Sequence, residues 1–96
     1  MKGIFIIFAP ALEETLMEQL KSIQVAHYTK FSYLLGEGGH SEPHLDTQVW
    51  PGANMGLFIS TDESTKNKIM QVVTALKTKH TTEGIKAYAF PLEEII

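Results

Sequence analysis

Apolar residues recur along this chain with two different periods, and the switches between them set out a sequence of elements. Gly3 to Phe8 is a continuous β-branched and aromatic run, short enough for a central strand covered on both faces or lying at an interface. Pro10 then punctuates. It would break a ladder but suits the first turn of a helix, where Glu13 and Glu14 meet the positive end of the helix dipole. Leu12, Leu16, Leu20 and Ile23, with Met17 beside them, return every three or four residues and predict an amphipathic helix. From His27 to Leu35 the period drops to two. Thr29, Phe31, Tyr33 and Leu35 then share one face of a second strand, and Tyr28, Lys30, Ser32 and Leu34 the other.

Gly36 to His44 holds too much glycine and proline for regular structure, and the loop, which runs on to Gly52, is long enough to be expected functional or mobile rather than a plain connector. Met55 to Thr61 reads as a third strand, with Asp62 as the N-cap of a second helix whose apolar face is Ile69, Val72, Val73 and Leu76. Lys77 and Lys79 suit the negative end of that helix. A polar break, His80 to Gly84, leads into a fourth strand from Ile85 to Phe90, stopped by Pro91, and Leu92 to Ile96 forms a tail. The order β-α-β-β-α-β predicts an α+β, ferredoxin-like sandwich, an antiparallel sheet with both helices on one face. The opposite face carries some of Phe31, Tyr33, Phe58 and Tyr88 and needs cover, which a trimer packing its sheets together would supply.

Composition narrows the function. Ninety-six residues predict a single domain, 1–96, whose small core gains from oligomerisation. The absence of cysteine excludes disulfides and thiolate metal sites. A net charge of −3, with the basic residues scattered singly, argues against a nucleic-acid partner. The apolar part of Ile4 to Phe8 is too short for a secretory leader, and no run suits a membrane span, so a cytoplasmic protein without membrane insertion is expected.

Three local features go beyond the element order. The chain opens Met-Lys-Gly-Ile-Phe-Ile-Ile-Phe-Ala-Pro; the second strand ends in Gly36-Glu37-Gly38; and Thr82-Glu83-Gly84-Ile85-Lys86 enters a last strand left by Phe90-Pro91-Leu92-Glu93-Glu94. Together they resemble the PII signalling-protein superfamily over essentially the whole chain. In that family a T-loop after the second strand and a B-loop before the last one meet across a subunit interface and hold an adenine nucleotide. The resemblance implies a homotrimer, not an enzyme, with clefts that bind ATP, ADP or AMP. Gly36, Gly38 and His40 would line one side of each cleft, and Thr82, Gly84 and Lys86 the other. Glycines let backbone N–H groups approach phosphate oxygens, and a lysine supplies a point charge. Effector binding would order the 36–52 loop, which a membrane transporter or an enzyme would then recognise. The chain departs from the family pattern in its B-loop, Glu83-Gly84-Ile85-Lys86, where a glycine is lost and a carboxylate gained. His40 replaces a typical glutamine and the T-loop is short, so the chain resembles a divergent member.

Other residues carry alternatives. His40 and His44 flank Ser-Glu-Pro, and Asp46 and His80 could join them around a divalent metal. On that reading the chain would be similar to the CutA-type cation-tolerance proteins, which share the trimeric architecture, or to a metal-transport partner. Trp50, beside Pro51 and Gly52, either anchors the loop on a neighbouring subunit or docks a partner. The carboxylates Glu37, Glu42 and Asp46 form no acid–base pair, and Ser41 has no orienting third group for nucleophilic chemistry.

Overall fold

A computed structural model describes residues 1–36, 53–80 and 82–96. In chain order it contains β1 (Lys2–Phe8), a 3-10 turn (Pro10–Leu12), α1 (Glu13–Ser22), β2 (Thr29–Leu34), β3 (Asn54–Thr61), α2 (Glu63–Lys79) and β4 (Ile85–Pro91). The four strands form one antiparallel sheet in the order β2-β3-β1-β4. The ferredoxin-like arrangement expected from the periodicity is therefore the one observed.

Strand alternation divides the sheet into two chemically different faces. Ile4, Ile6 and Phe8 of β1 stand beside Ile59, Leu57 and Met55 of β3, and all six are buried under the helices. The helices close this core with Leu12, Leu16 and Leu20 from the first segment and Ile69, Val73 and Leu76 from the second. Ile23, Met17 and Val72, expected on the same stripes, pack at its margin.

The other face is aromatic. Tyr88, Phe5 and Phe58 stand in one row across β4, β1 and β3, and Lys86, Ile7, Gly56 and Phe31 make the next. Phe5 and Phe31 meet edge to face at 5.7 Å, and Phe58 stacks on Phe90 at 6.3 Å. Two glycines leave room for these side chains. A Cβ at Gly3 would lie 2.5 Å from the Phe90 ring, and one at Gly56 would lie 2.6 Å from Leu34 Cδ1. Tyr88 is still 49% exposed, Phe31 38% and Phe90 37%.

Three details differ from the sequence expectation. Strand β2 begins at Thr29 rather than His27 and ends at Leu34. A register shift between Phe31 and Leu34 breaks its alternation, so that Leu34, placed by period two on the opposite face from Phe31, leans over Gly56 on the aromatic face. Pro91 does not stop β4 but pairs with Lys2 as its last residue. A proline is tolerated there because β4 is an edge strand, and the Leu92 N–H extends the contact to the Met1 carbonyl at 3.0 Å.

The helix ends follow from local chemistry. Asp62 caps α2 by accepting from the Thr65 N–H at 2.7 Å, and this hydrogen bond holds its carboxyl below the ordinary carboxylate value. After α1 the chain reverses through Gln24, a non-glycine residue at φ 68°, whose N–H donates to the Lys21 carbonyl while that of Val25 donates to Leu20.

Candidate functional site

The C-terminal ends of β1 and β2 and the N-terminal ends of β3 and β4 lie at the sheet margin from which the long loop departs. For β1 against β3 and β4, and for β2 against β3, this follows from antiparallel pairing of each neighbouring pair. Both loop segments singled out in the sequence therefore leave from one end of the sheet. They leave from opposite edges of it. Gly36 follows β2, one outer strand, and Thr82 to Lys86 lead into β4, the other. With β3 and β1 between them, the two segments stand about 14 Å apart within one chain, three strand spacings. No single copy can bring Gly36 against Lys86. A second chain, placing its β4 end beside the β2 end of the first, can.

On the β4 side the backbone is braced. The Ala9 N–H donates to the Gly84 carbonyl at 2.9 Å, and Lys77 Nζ donates to the Ile85 carbonyl at 2.7 Å. Lys77 thus reaches past its own helix end to hold the start of β4, a role its place in the last turn did not announce. Gly84 is buried, Thr82 is exposed, and Lys86 is half-buried opposite Ile7 on the aromatic face. Glu83 lies with its carboxylate 3.8 Å from His80 Nδ1. The carboxylate gained in this segment is therefore near an imidazole on its own side.

On the β2 side Gly36 is exposed, and among the described residues the nearest group to its would-be Cβ is the Asn54 amide nitrogen at 3.8 Å. Asn54 opens β3, pairs with Leu34 and is only 3% exposed. Sequence reasoning passed over it. The available signal was a carboxamide leading directly into the apolar run from Met55 to Ile59.

Gly38, His40, His44, Asp46 and Trp50 lie outside the described residues, so the metal and docking expectations placed on them are without structural counterpart here. Among the described residues no group of three or more His, Asp and Glu side chains comes together as a metal site, and His80 has Glu83 beside it.

A family model described as "Nitrogen regulatory protein P-II" matches residues 1–96. No curated protein sequence matches the chain significantly. Among solved structures, a PII-like signaling protein from Thermus thermophilus superposes with a TM-score of 0.66 at 24% identity, covering 93% of this chain and 82% of its own. CPII from Thiomonas intermedia K12, described as bound to ADP and bicarbonate, gives 0.66 at 20% identity over 93% of this chain and 82% of its own. The same protein described with ADP, AMP and acetate gives 0.69 at 17% identity, over 92% and 81%.

Proposed function

The chain belongs to the nitrogen regulatory protein P-II family, and from that premise we propose that it is a homotrimeric cytoplasmic regulator, not an enzyme, whose effector is an adenine nucleotide. The nucleotide binds between the Gly36 end of one subunit and the Thr82, Gly84 and Lys86 segment of the next. The observation that supports this most is the placement of those segments at one end of the sheet but on its two outer strands. Such a pair becomes a cleft only when copies join, and the exposed aromatic face gives them a surface to join by.

The chemistry suits a polyphosphate. Gly36 presents no side chain to block a phosphate, and Lys86, at the mouth of β4, supplies the point charge. CPII, similar in fold, is described with ADP, AMP and bicarbonate, which supports the nucleotide class. Output passes through the 36–52 segment: nucleotide binding shifts its population of conformations toward one that a partner protein reads, either a transporter or an enzyme. No helix among the described residues is long and apolar enough to cross a membrane, so a membrane-embedded partner would be met at its surface.

The test is a thermal-shift and calorimetry series with ATP, ADP and AMP. One of them is expected to raise the melting temperature, and Lys86→Ala is expected to remove the rise while leaving the unliganded protein folded. No shift with any of the three at millimolar concentration would refute the nucleotide reading.

A further inference from the structure

The chain between the end of α2 and the start of β4 has its two feet tied together. Ile85 opens β4 and is buried at 4% exposure, and the Gly84 carbonyl before it accepts from the Ala9 N–H at 2.9 Å. At the other end of the strand the Leu92 N–H donates to the Met1 carbonyl, in the same phase of the ladder. Antiparallel pairing alternates, so Gly84, Lys86 and Leu92 turn their backbone groups toward β1 and Ile85 turns its own away. Since β4 is an outer strand, the Ile85 carbonyl faces the open edge of the sheet. Lys77 Nζ donates to it there at 2.7 Å.

That bond is not what attaches the strand. β1 holds β4 along its inner side through the whole register from Lys2 to Phe8, and the Ile85 side chain is already in the core. A lysine in the last turn of a helix can lie on the final carbonyls of that helix, or stay in water with full rotamer freedom. Lys77 gives up that freedom to join the end of α2 to a residue eight positions further along the chain.

Its effect falls on the candidate effector segment. The Ile85 carbonyl and the Lys86 N–H belong to one planar peptide, so a charged donor on the carbonyl fixes the direction in which the chain enters Lys86. Thr82, Glu83 and Gly84 lie between the two tied positions. A segment whose ends are already held has less freedom to lose when it closes on a ligand. A lysine at a sheet edge can also hinder association between strands. That role predicts a change of mass when the lysine is lost, with no change in effector affinity.

We infer that Lys77 is a positioning residue for effector binding, whose clasp on the Ile85 carbonyl pre-organises the Thr82–Lys86 segment for the phosphates; this rests on the nucleotide reading above. Lys77→Met keeps the aliphatic stem and loses the donor, whereas Lys77→Arg keeps both donor and charge. The measurements are amide hydrogen exchange without ligand, solution mass, and calorimetry at about 50 and about 300 mM salt. The ligand is whichever of ATP, ADP and AMP the parent binds most tightly. Unliganded Lys77→Met is expected to exchange its amides at residues 82–86 faster than the parent, while those of β1 and β3 keep their protection. It is expected to bind the nucleotide about tenfold more weakly, by the same factor at both salt concentrations, and Lys77→Arg to recover most of the loss. If Lys77→Met is poorly folded, Lys77→Ala gives the same readouts. A loss that shrinks at the higher salt would overturn the inference, by making Lys77 a direct charge on the phosphates. Unchanged affinity in a folded variant would overturn it and leave the nucleotide reading standing, and a change of mass beside it would assign the lysine to edge protection. Unchanged exchange at residues 82–86 would refute the clasp whether or not a nucleotide binds. A parent that binds none of the three would overturn both readings.

Discussion

If the proposed trimer forms through the aromatic face, replacing Tyr88 with aspartate should leave the protein monomeric. Tyr88 stands in the middle of β4 on the aromatic face, beside Phe5, and is 49% exposed in the single chain. An aromatic side chain offers roughly 150–250 Å² to bury, so about 100 Å² of Tyr88 remains for a neighbouring subunit to cover. At ~25 cal/mol per Å² that contact is worth about 2.5 kcal/mol for each copy. Aspartate forfeits this area and adds an unpaired buried charge, a penalty of several kcal/mol per ion. A closed trimer suffers the change three times over, more than an assembly of small subunits can absorb. Size-exclusion chromatography with light scattering at micromolar concentration is the assay, with circular dichroism to show that the monomer keeps its fold. Gln71→Glu, on the exposed side of α2, is the control and should leave the mass unchanged. A Tyr88→Asp variant that keeps the parent's mass would remove this face from the interface. A monomeric parent would refute the trimer itself.

Two further outcomes test the fold that carries the site. Gln24→Gly should stabilise the chain by about 0.5–1 kcal/mol, because φ 68° strains a side-chain-bearing residue by more than glycine's extra unfolded-state freedom costs. A urea midpoint that falls instead would show that the Gln24 side chain holds the turn. Asp62→Ala should lower the melting temperature by removing the acceptor that satisfies the Thr65 N–H, whereas Asp62→Asn should recover part of the loss. The folded-state pKa of Asp62 is depressed, so its contribution is full above the unfolded carboxylate value and fades as pH falls through the folded one. Parent and Asp62→Ala melting curves should therefore converge in acid, and a constant gap would refute the charged-cap account.

Much of this was open to reading in the chain itself. Leu12, Leu16 and Leu20 return at a helix's period and pack where that period places them, and Asp62 caps the helix it precedes. Local hydrogen bonding and apolar periodicity act within a few residues, so they leave a local trace. Leu34 was misplaced because a register shift is a property of two strands, not of one. Asn54 passed unnoticed because the third strand was read as starting at Met55, whereas pairing with Leu34 of β2 carries it one residue further back. The grip of Lys77 on the Ile85 carbonyl is of the same kind.

The order of residues settles the elements, their succession, the apolar faces and, through the resemblance of the Gly36-Glu37-Gly38 and Gly84-Ile85-Lys86 segments, the family. Packing in three dimensions is what makes β2 and β4 the outer strands, since sheet order is set by pairing between segments far apart in the chain. That placement sets where the candidate segments stand. It sends the Gly36 and Gly84 segments to opposite edges of one sheet end and leaves an aromatic face exposed, so a single chain does not bring the two together and the cleft proposed above calls for a second copy.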